Sequence, residues 1–205
     1  MKKKIIFSSI LFFAMVFQNT VYGASLAYTV KSGDSLWRIA VKNETGISEL
    51  ISMNPQLKNP SLIYPGNVVY IPNLQDIKTA ENEVIRLVNI QRGNIGLPKL
   101  STNWQLSRIA RYKSQDMINK NYFSHISPTY GSPFNMMENF GLKFSAAGEN
   151  IAMGQQTPSS VVTAWMNSPG HRANILNPSY TQIGVGLAKN SNGTCYWTQM
   201  FIKPL

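Results

Sequence analysis

One cysteine, Cys195, serves all 205 residues, and it lies behind what reads as an export leader. A single thiol cannot close an internal disulfide. The chain must therefore hold itself together by burying apolar surface alone. Cys195 opens the apolar stretch Cys195-Tyr196-Trp197-Thr198-Gln199-Met200-Phe201, where it reads as a buried, inert strand thiol rather than a reactive one. The leader begins with the basic residues Lys2, Lys3 and Lys4, continues through an apolar run from Ile5 to Phe17 broken only by Ser8 and Ser9, and ends at Val21-Tyr22-Gly23. This pattern predicts a secretory signal peptide over 1–23, cut after Gly23. The run is shorter than the roughly 20 residues of a membrane span, which favours cleavage over an uncleaved anchor. No other segment is long and apolar enough to span a membrane after that cut.

The formal charge is +10, and loss of the three leader lysines leaves +7. Such a charge favours an anionic partner. Beyond the leader there is no run of Lys or Arg, so no dedicated nucleic-acid stripe is present. With export, the better match is an anionic cell envelope, and no nucleic-acid partner is expected.

Two patterns divide the remaining chain. In residues 28–72, Tyr28-Thr29-Val30 reads as a strand leading to the turn Lys31-Ser32-Gly33-Asp34. Leu36, Ile39 and Ala40 share a helical face. Ser48 is a candidate cap for a second helix carrying Leu50 and Ile51, which Asn54-Pro55 ends. Val68-Val69-Tyr70-Ile71 forms the closing strand. This strand–helix–helix–strand order gives a small module with a thin core. Residues 73–78 read as a short joint, since they lack the composition of a long flexible linker.

The second pattern covers 79–205. Val84, Leu87, Val88 and Gln91 share one helical face, and Leu106, Ile109, Ala110 and Met117 another, the latter helix capped by Ser101. Residues 135–140 predict a short helix ended by Gly141. Thr157-Pro158 and Ser168-Pro169 read as N-cap and N1 pairs of two further helices. Ile183 to Ala188 and Tyr196 to Ile202 read as strands joined by a hairpin turn over 190–194. Helices first and antiparallel strands last imply an α+β layered domain.

Polar chemistry concentrates at three residues. The two histidines are His125, in Tyr122-Phe123-Ser124-His125-Ile126-Ser127-Pro128, and His171, in Ser168-Pro169-Gly170-His171-Arg172. Between them stands Glu149, the only acidic residue from Asn139 onward. Three readings of this trio stand side by side. His125 and His171, with a carboxylate, are metal-ligand types suited to Zn2+. Glu149 as base and a histidine as acid would serve metal-free hydrolysis. Or the trio is a mutually satisfied polar network without turnover. No Gly-x-Ser-x-Gly elbow occurs, so a serine nucleophile is not indicated.

Residues 28–72 resemble a LysM module. The resemblance is carried by Tyr28-Thr29-Val30-Lys31-Ser32-Gly33-Asp34-Ser35-Leu36-Trp37-Arg38-Ile39-Ala40, Met53-Asn54-Pro55, Ile63-Tyr64-Pro65-Gly66 and Val69-Tyr70-Ile71-Pro72. It implies a βααβ fold that binds N-acetylglucosamine-containing glycan, peptidoglycan or chitin. The groove would lie between the loop of Gly33, Asp34 and Ser35 and that of Leu62, Ile63, Tyr64 and Pro65. Gly33 and Asp34 also suit a plain turn and cap.

Residues 79–203 resemble a bacterial CAP superfamily domain. The resemblance rests on the His125 segment, Gly148-Glu149-Asn150-Ile151-Ala152, the segment from Trp165 to Leu176, Ile183-Gly184-Val185-Gly186, and Tyr196 to Phe201. It implies a three-layer αβα sandwich whose cleft carries two histidines and two acids. His125, Glu149 and His171 match three of these. The second acid is expected near Asn167 or Ser168, neither of which ionises, and Ser168 instead suits a cap for the His171 helix. The combined resemblance implies a secreted wall-associated protein binding peptidoglycan, with a spore coat or cortex setting as a narrower expectation. A wall-targeted hydrolase or peptidase using the cleft is the alternative.

Overall fold

The structure is a computed structural model that describes residues 23–205. The leader expected over 1–23 lies outside the described residues except for Gly23. Among the described residues no helix is long and apolar enough to cross a membrane.

The amino-terminal module consists of β1 (Gly23–Thr29), α1 (Leu36–Lys42), α2 (Ile47–Ser52) and β2 (Val68–Asn73). The first strand starts earlier than the sequence predicts, because Leu26, Ala27 and Tyr28 find antiparallel partners in Ile71, Tyr70 and Val69. Helix α1 is capped by Ser35, whose Oγ accepts from Arg38 N. Ser48 does not cap α2: Gly46 holds that position, with no side-chain bond. Val30, Leu36, Ile39, Ala40, Leu50, Val69 and Ile71 form the thin core. Among the described residues no third strand pairs with the outer edge of β2, and the buried Asn54 stands in for one. Its amide nitrogen donates to Leu50 O (2.7 Å) and Tyr70 O (2.8 Å), and its Oδ1 accepts from Tyr70 N (2.7 Å). One side chain thus ties the end of α2 to β2 and satisfies backbone groups that could not be left bare.

Residues 73–78 hold the end of β2 and the first turn of the next helix. Strand β2 runs to Asn73, and helix α3 (Gln75–Gly93) starts two residues later. Lys78 on α3 reaches back to Glu44 and to Asn43 O, which couples the helix to the amino-terminal module. Glu49 of α2 lies 3.6 Å from Arg108.

The carboxy-terminal domain continues with β3 (Ser101–Thr102), α4 (Trp104–Asn119), α5 (Pro133–Asn139), β4 (Phe144–Met153), α6 (Pro158–Asn167), α7 (Pro169–Ile175), β5 (Gln182–Lys189) and β6 (Cys195–Pro204). The sheet order is β3-β5-β6-β4, with β3 parallel to β5 and the other pairs antiparallel. Ser101 belongs to β3, and Asn103 caps α4 instead, its Oδ1 accepting from Leu106 N. Thr157 and Ser160 form a reciprocal capping box at α6, as the Thr-Pro start predicts.

Alternation along the strands splits the interior into two cores. Ile183, Val185, Leu187, Trp197 and Phe201 pack with Val84, Val88, Val161, Val162 and Trp165. Met200 and Ile202 pack on the opposite face with Leu106, Ile109, Met136 and Met137. The sheet is therefore a middle layer between helices, the expected αβα sandwich. Gly184 and Gly186 set its spacing. A Cβ on Gly184 would collide with the backbone of Leu106 and Ser107, and one on Gly186 with that of Ala110 and Arg111. The α4 backbone rests directly on β5.

β5 extends beyond its short partner β3, and helix side chains close the exposed stretch. Val185 N donates to Ser107 Oγ (3.1 Å), Leu187 N to Glu81 Oε1 (3.1 Å), and Ser114 Oγ to Gly186 O (3.0 Å). Glu81 is held by Arg111 Nε at 2.9 and 3.1 Å. Burial raises the Glu81 carboxyl to about 7, against the lowering effects of Arg111 and the Leu187 amide.

Two outcomes follow. Gly186→Ala forces the strand off the helix backbone and lowers stability by about 1–3 kcal/mol or more, read as a fall in melting temperature with unchanged secondary-structure content. Between about pH 4.5 and about 7, folded Glu81 binds a proton more readily than the unfolded residue. Its contribution to stability therefore falls as pH rises through that window. Denaturant midpoints across pH will show this slope in the native chain and its loss in Glu81→Gln.

Candidate functional site

The site forms along β4, the edge strand opposite β3. Residues directly opposed on an antiparallel ladder share a face. Glu149 pairs with Met200 and so faces the α4 layer, whereas Asn150 pairs with Gln199 and faces the α7 side. One strand thereby sends a carboxylate and an amide to opposite sides of the sheet edge.

The outer carbonyls of β4 are closed by three side chains. Tyr180 Oη donates to Ala147 O (3.0 Å), Asn174 Nδ2 to Glu149 O (3.1 Å), and Trp165 Nε1 to Ile151 O (3.2 Å). Asn174 also donates to Asn150 Oδ1 (2.9 Å). Asn150 Nδ2 donates to His171 O (3.1 Å) and to Gln199 Oε1 (2.9 Å). Helix α7 is thus fastened along the strand, and His171 with it. Its far end is held by the buried Arg92, whose guanidinium donates to Ile175 O (2.8 Å) and Asn177 O (2.9 Å), where a cation also suits the helix terminus.

His125 approaches from the loop after α4. Its Nδ1 lies 2.7 Å from Glu149 Oε1, and the Glu149 side chain is 1 % exposed while that of His125 is 52 % exposed. With Glu149 ionised, His125 donates through Nδ1 to Oε1, and Nε2 takes no part in that bond. The second carboxylate oxygen, Glu149 Oε2, is buried without a hydrogen-bond partner among the described residues. Burial raises the Glu149 pKa, opposed by the His125 hydrogen bond and the positive charge of Lys113. The His171 pKa is lowered, first by burial and then by the charge of His125, so the two imidazoles sense each other. Of the three residues singled out in the sequence, Glu149 and His125 are in contact, and His171 lies within electrostatic reach of His125.

Two charged residues that sequence reasoning passes over support this arrangement. Lys113, on α4 and fully buried, donates to His125 O (2.8 Å) and Tyr122 Oη (3.2 Å). Its pKa is lowered by burial, partly restored by Glu149 and Asp116. Asp116 accepts from Tyr122 Oη (2.7 Å), Ser127 Oγ (2.6 Å) and Thr129 Oγ1 (2.6 Å). Together they anchor both ends of the His125 segment to α4. Lys113 and Asp116 stand i and i+3 apart on a helix that also carries Arg108, Arg111 and Gln115, so the sequence offers no signal that these two are buried. Ser168 precedes α7 but its side chain makes no capping bond, contrary to expectation.

As a metal site, the donor set is thin. Glu149 is engaged through Oε1 with His125, and among the described residues no group of three or more His, Cys, Asp or Glu converges as a ligand cluster. A catalytic zinc centre draws on three protein ligands. The residues present do not match that set.

In the amino-terminal module, the loop of Gly33, Asp34 and Ser35 is engaged internally. Gly33 adopts φ +83°, and its carbonyl accepts from Arg38 (2.6 Å). Asp34 accepts from Lys31 N (2.8 Å) and Tyr28 Oη (2.7 Å), which hold its pKa down. Bonds from Val30 N to Asn67 O and from Gly66 N to Val30 O set the second loop beside the first strand. In that loop Ile63 packs on the core, while Leu62 and Tyr64 are largely exposed.

A helix–sheet–helix sandwich with a carboxylate–imidazole pair on its edge strand, preceded by a βααβ module, defines a two-part class of protein. The chain belongs to the cysteine-rich secretory protein family, CAP, whose family model matches residues 85–201, and a LysM domain precedes it at residues 28–72. The Bacillus subtilis protein YkwD is 55 % identical over 126 residues, covering 62 % of this chain and 48 % of YkwD. The B. subtilis membrane protein YlbC is 36 % identical over 148 residues, covering 69 % of this chain and 41 % of YlbC. The chain thus spans less than half the length of these relatives. A solved extracellular protein containing an SCP domain, from Bacillus anthracis, is 34 % identical with a TM-score of 0.58, covering 68 % of this chain and 47 % of that one.

Replacing Lys113 with Met strips the donor from His125 O and removes positive charge near Glu149. The expected result is a further rise in the Glu149 pKa, read by carboxyl carbon NMR shifts across pH, with a stability loss of about 1–3 kcal/mol.

Proposed function

We propose that the protein is exported to the cell envelope, where its LysM domain holds the N-acetylglucosamine-containing glycan of peptidoglycan and its CAP domain is presented at the wall. The observation that carries this reading is the LysM domain itself, with Leu62 and Tyr64 exposed on the loop expected to meet sugar. A pyranose ring offers apolar faces that suit such side chains. The positive charge suits an anionic wall. The endolysin of Bacillus phage PZA is 41 % identical over 51 residues, a length close to that of the LysM domain. A spore coat or cortex setting is the narrower form of the proposal, supported by 44 % identity over 46 residues to SpoIVD-associated factor A of B. subtilis.

A second reading, wall hydrolysis, is favoured by Glu149 Oε2, buried and without a partner among the described residues, on the carboxylate that His125 contacts. Burial raises the pKa of this carboxyl, which suits it to proton exchange. In this reading Glu149 takes a proton from water as it adds to a wall bond, and a histidine gives one to the leaving group.

Both readings are open to direct test. Pull-down on insoluble peptidoglycan should retain the native chain and lose most of a Leu62→Ser/Tyr64→Ala double variant; equal retention sinks the LysM anchor. Incubation with peptidoglycan, with and without zinc, should release soluble fragments only if the cleft is catalytic. Release that is absent, or unchanged in Glu149→Gln and His171→Ala, rules out the hydrolase.

A further inference from the structure

The LysM and CAP domains meet at a buried charge, and that contact lies beside the segment that carries His125. Glu49 of α2 stands 3.6 Å from Arg108 of α4, with side chains only 7 % and 20 % exposed. Glu49 Oε2 and Arg108 Nε are both buried without a hydrogen-bond partner among the described residues. The two therefore meet through charge and packing. Gly46, the N-cap of α2, makes room for them. Its φ of −85° suits any residue, yet a Cβ there would collide with the Glu49 carboxylate and the Arg108 guanidinium. Lys78 holds Glu44 and Asn43 O just before α2, and Asn54 ties the residues just after it to β2. Helix α2 is thus fastened on both sides of Glu49.

On the CAP side, Arg108 lies over the rings of Tyr112 and Phe140, at 5.5 and 5.6 Å, an arrangement that favours a cation. Phe140 meets Tyr112 at 5.3 Å and Tyr130 edge-to-face at 6.0 Å. Tyr130 belongs to the loop of His125. Its backbone N donates to Ser127 Oγ (2.9 Å), and Ser127 and Gly131 exchange backbone hydrogen bonds of 2.8 and 2.9 Å. Burial pushes the Tyr130 hydroxyl up to about 12, and the charges of Asp116 and Glu49 add to the rise. Tyr130 therefore senses one carboxylate from each domain. The loop has two supports: Lys113 and Asp116 of α4, and the Tyr130 ring in a cluster that Glu49 reaches through Arg108.

We propose that the LysM domain is an intramolecular positioning partner of the CAP cleft: Glu49, docked on Arg108, seats the Tyr112–Phe140–Tyr130 cluster and through it the segment that holds His125 against Glu149. Glu49 and Arg108 are positioning residues that act through Tyr130. Removing one partner of a buried pair leaves the other charge uncompensated. The guanidinium then swings toward water, and a close-packed ring cluster cannot keep its arrangement around the gap. This inference concerns how the cleft is held, and it depends neither on glycan binding nor on catalysis.

Amide hydrogen exchange and imidazole nitrogen NMR on the full protein test it. Glu49→Gln keeps the size of the side chain. It should speed exchange of the Ser127 and Gly131 amides about five- to thirty-fold and move the His125 imidazole nitrogen resonances at fixed pH. Gly46→Ala, which wedges the pair apart while keeping both charges, should do the same. Amides of the β5–β6 ladder should exchange at the native rate in both variants. A Glu49→Gln/Arg108→Gln double variant should exchange at Ser127 and Gly131 no faster than Arg108→Gln alone, because the two residues act through one contact. Native exchange at Ser127 and Gly131, or native His125 resonances, in both Glu49→Gln and Gly46→Ala overturns the proposal. An equal rise across the β5–β6 ladder also overturns it, since the contact then serves general stability.

Discussion

Open strand edges must be closed, and in this protein side chains close them. A sheet edge away from water leaves backbone donors and acceptors that cost free energy if unpaired. Asn54 does the work for β2, Ser107 and Glu81 for β5, and Tyr180, Asn174 and Trp165 for β4. The last set has a functional consequence. Asn174 and Trp165 belong to the two helices that flank Ser168-Pro169, so closing β4 also decides where α7 lies, and hence where His171 faces the Glu149–His125 pair.

Buried charge plays a related part. Glu81, Arg92, Arg111, Lys113 and Asp116 are all withdrawn from solvent, which is costly unless every one is bonded. Each bonds to backbone or to a neighbouring polar group that a loop or helix end would otherwise leave bare. Arg92 gathers the carbonyls at the end of α7. Lys113 and Asp116 hold the segment around His125. The cleft is therefore positioned by fixed charges on α3 and α4, and Glu149 Oε2 is buried without a partner among the described residues. That asymmetry separates the site from a fully satisfied polar network.

The two domains meet through charge as well. Lys78 with Glu44 and Arg108 with Glu49 bridge them, and Arg108 also sits over the rings of Tyr112 and Phe140 at 5.5 and 5.6 Å. With α3 starting directly after β2, the LysM loops and the cleft belong to domains joined by an ordered connection.

Much of this was legible in the residues. Periodicity located α1, α4 and α6, the hairpin of β5 and β6, and most of their core positions, because those elements bury one face and so carry a period. The trio of His125, Glu149 and His171 was visible as isolated polar chemistry. Strand β4 was not, since Ser145-Ala146-Ala147-Gly148-Glu149-Asn150 has neither alternation nor β-branched residues; its extended form comes from pairing with β6. Ser101 and Ser48 resembled caps, but the register of β3 and the fold of the preceding loop gave that place to Asn103 and Gly46. Lys113 and Asp116 carried no sequence signal of their role, because charge alone does not say whether it is buried. Local pattern thus determined most of the elements, the two-domain order and the candidate polar residues. Only tertiary structure decided which charges are desolvated, which strand edge is closed by which side chain, and therefore how the carboxylate and the imidazoles meet, since those depend on partners far apart in the chain.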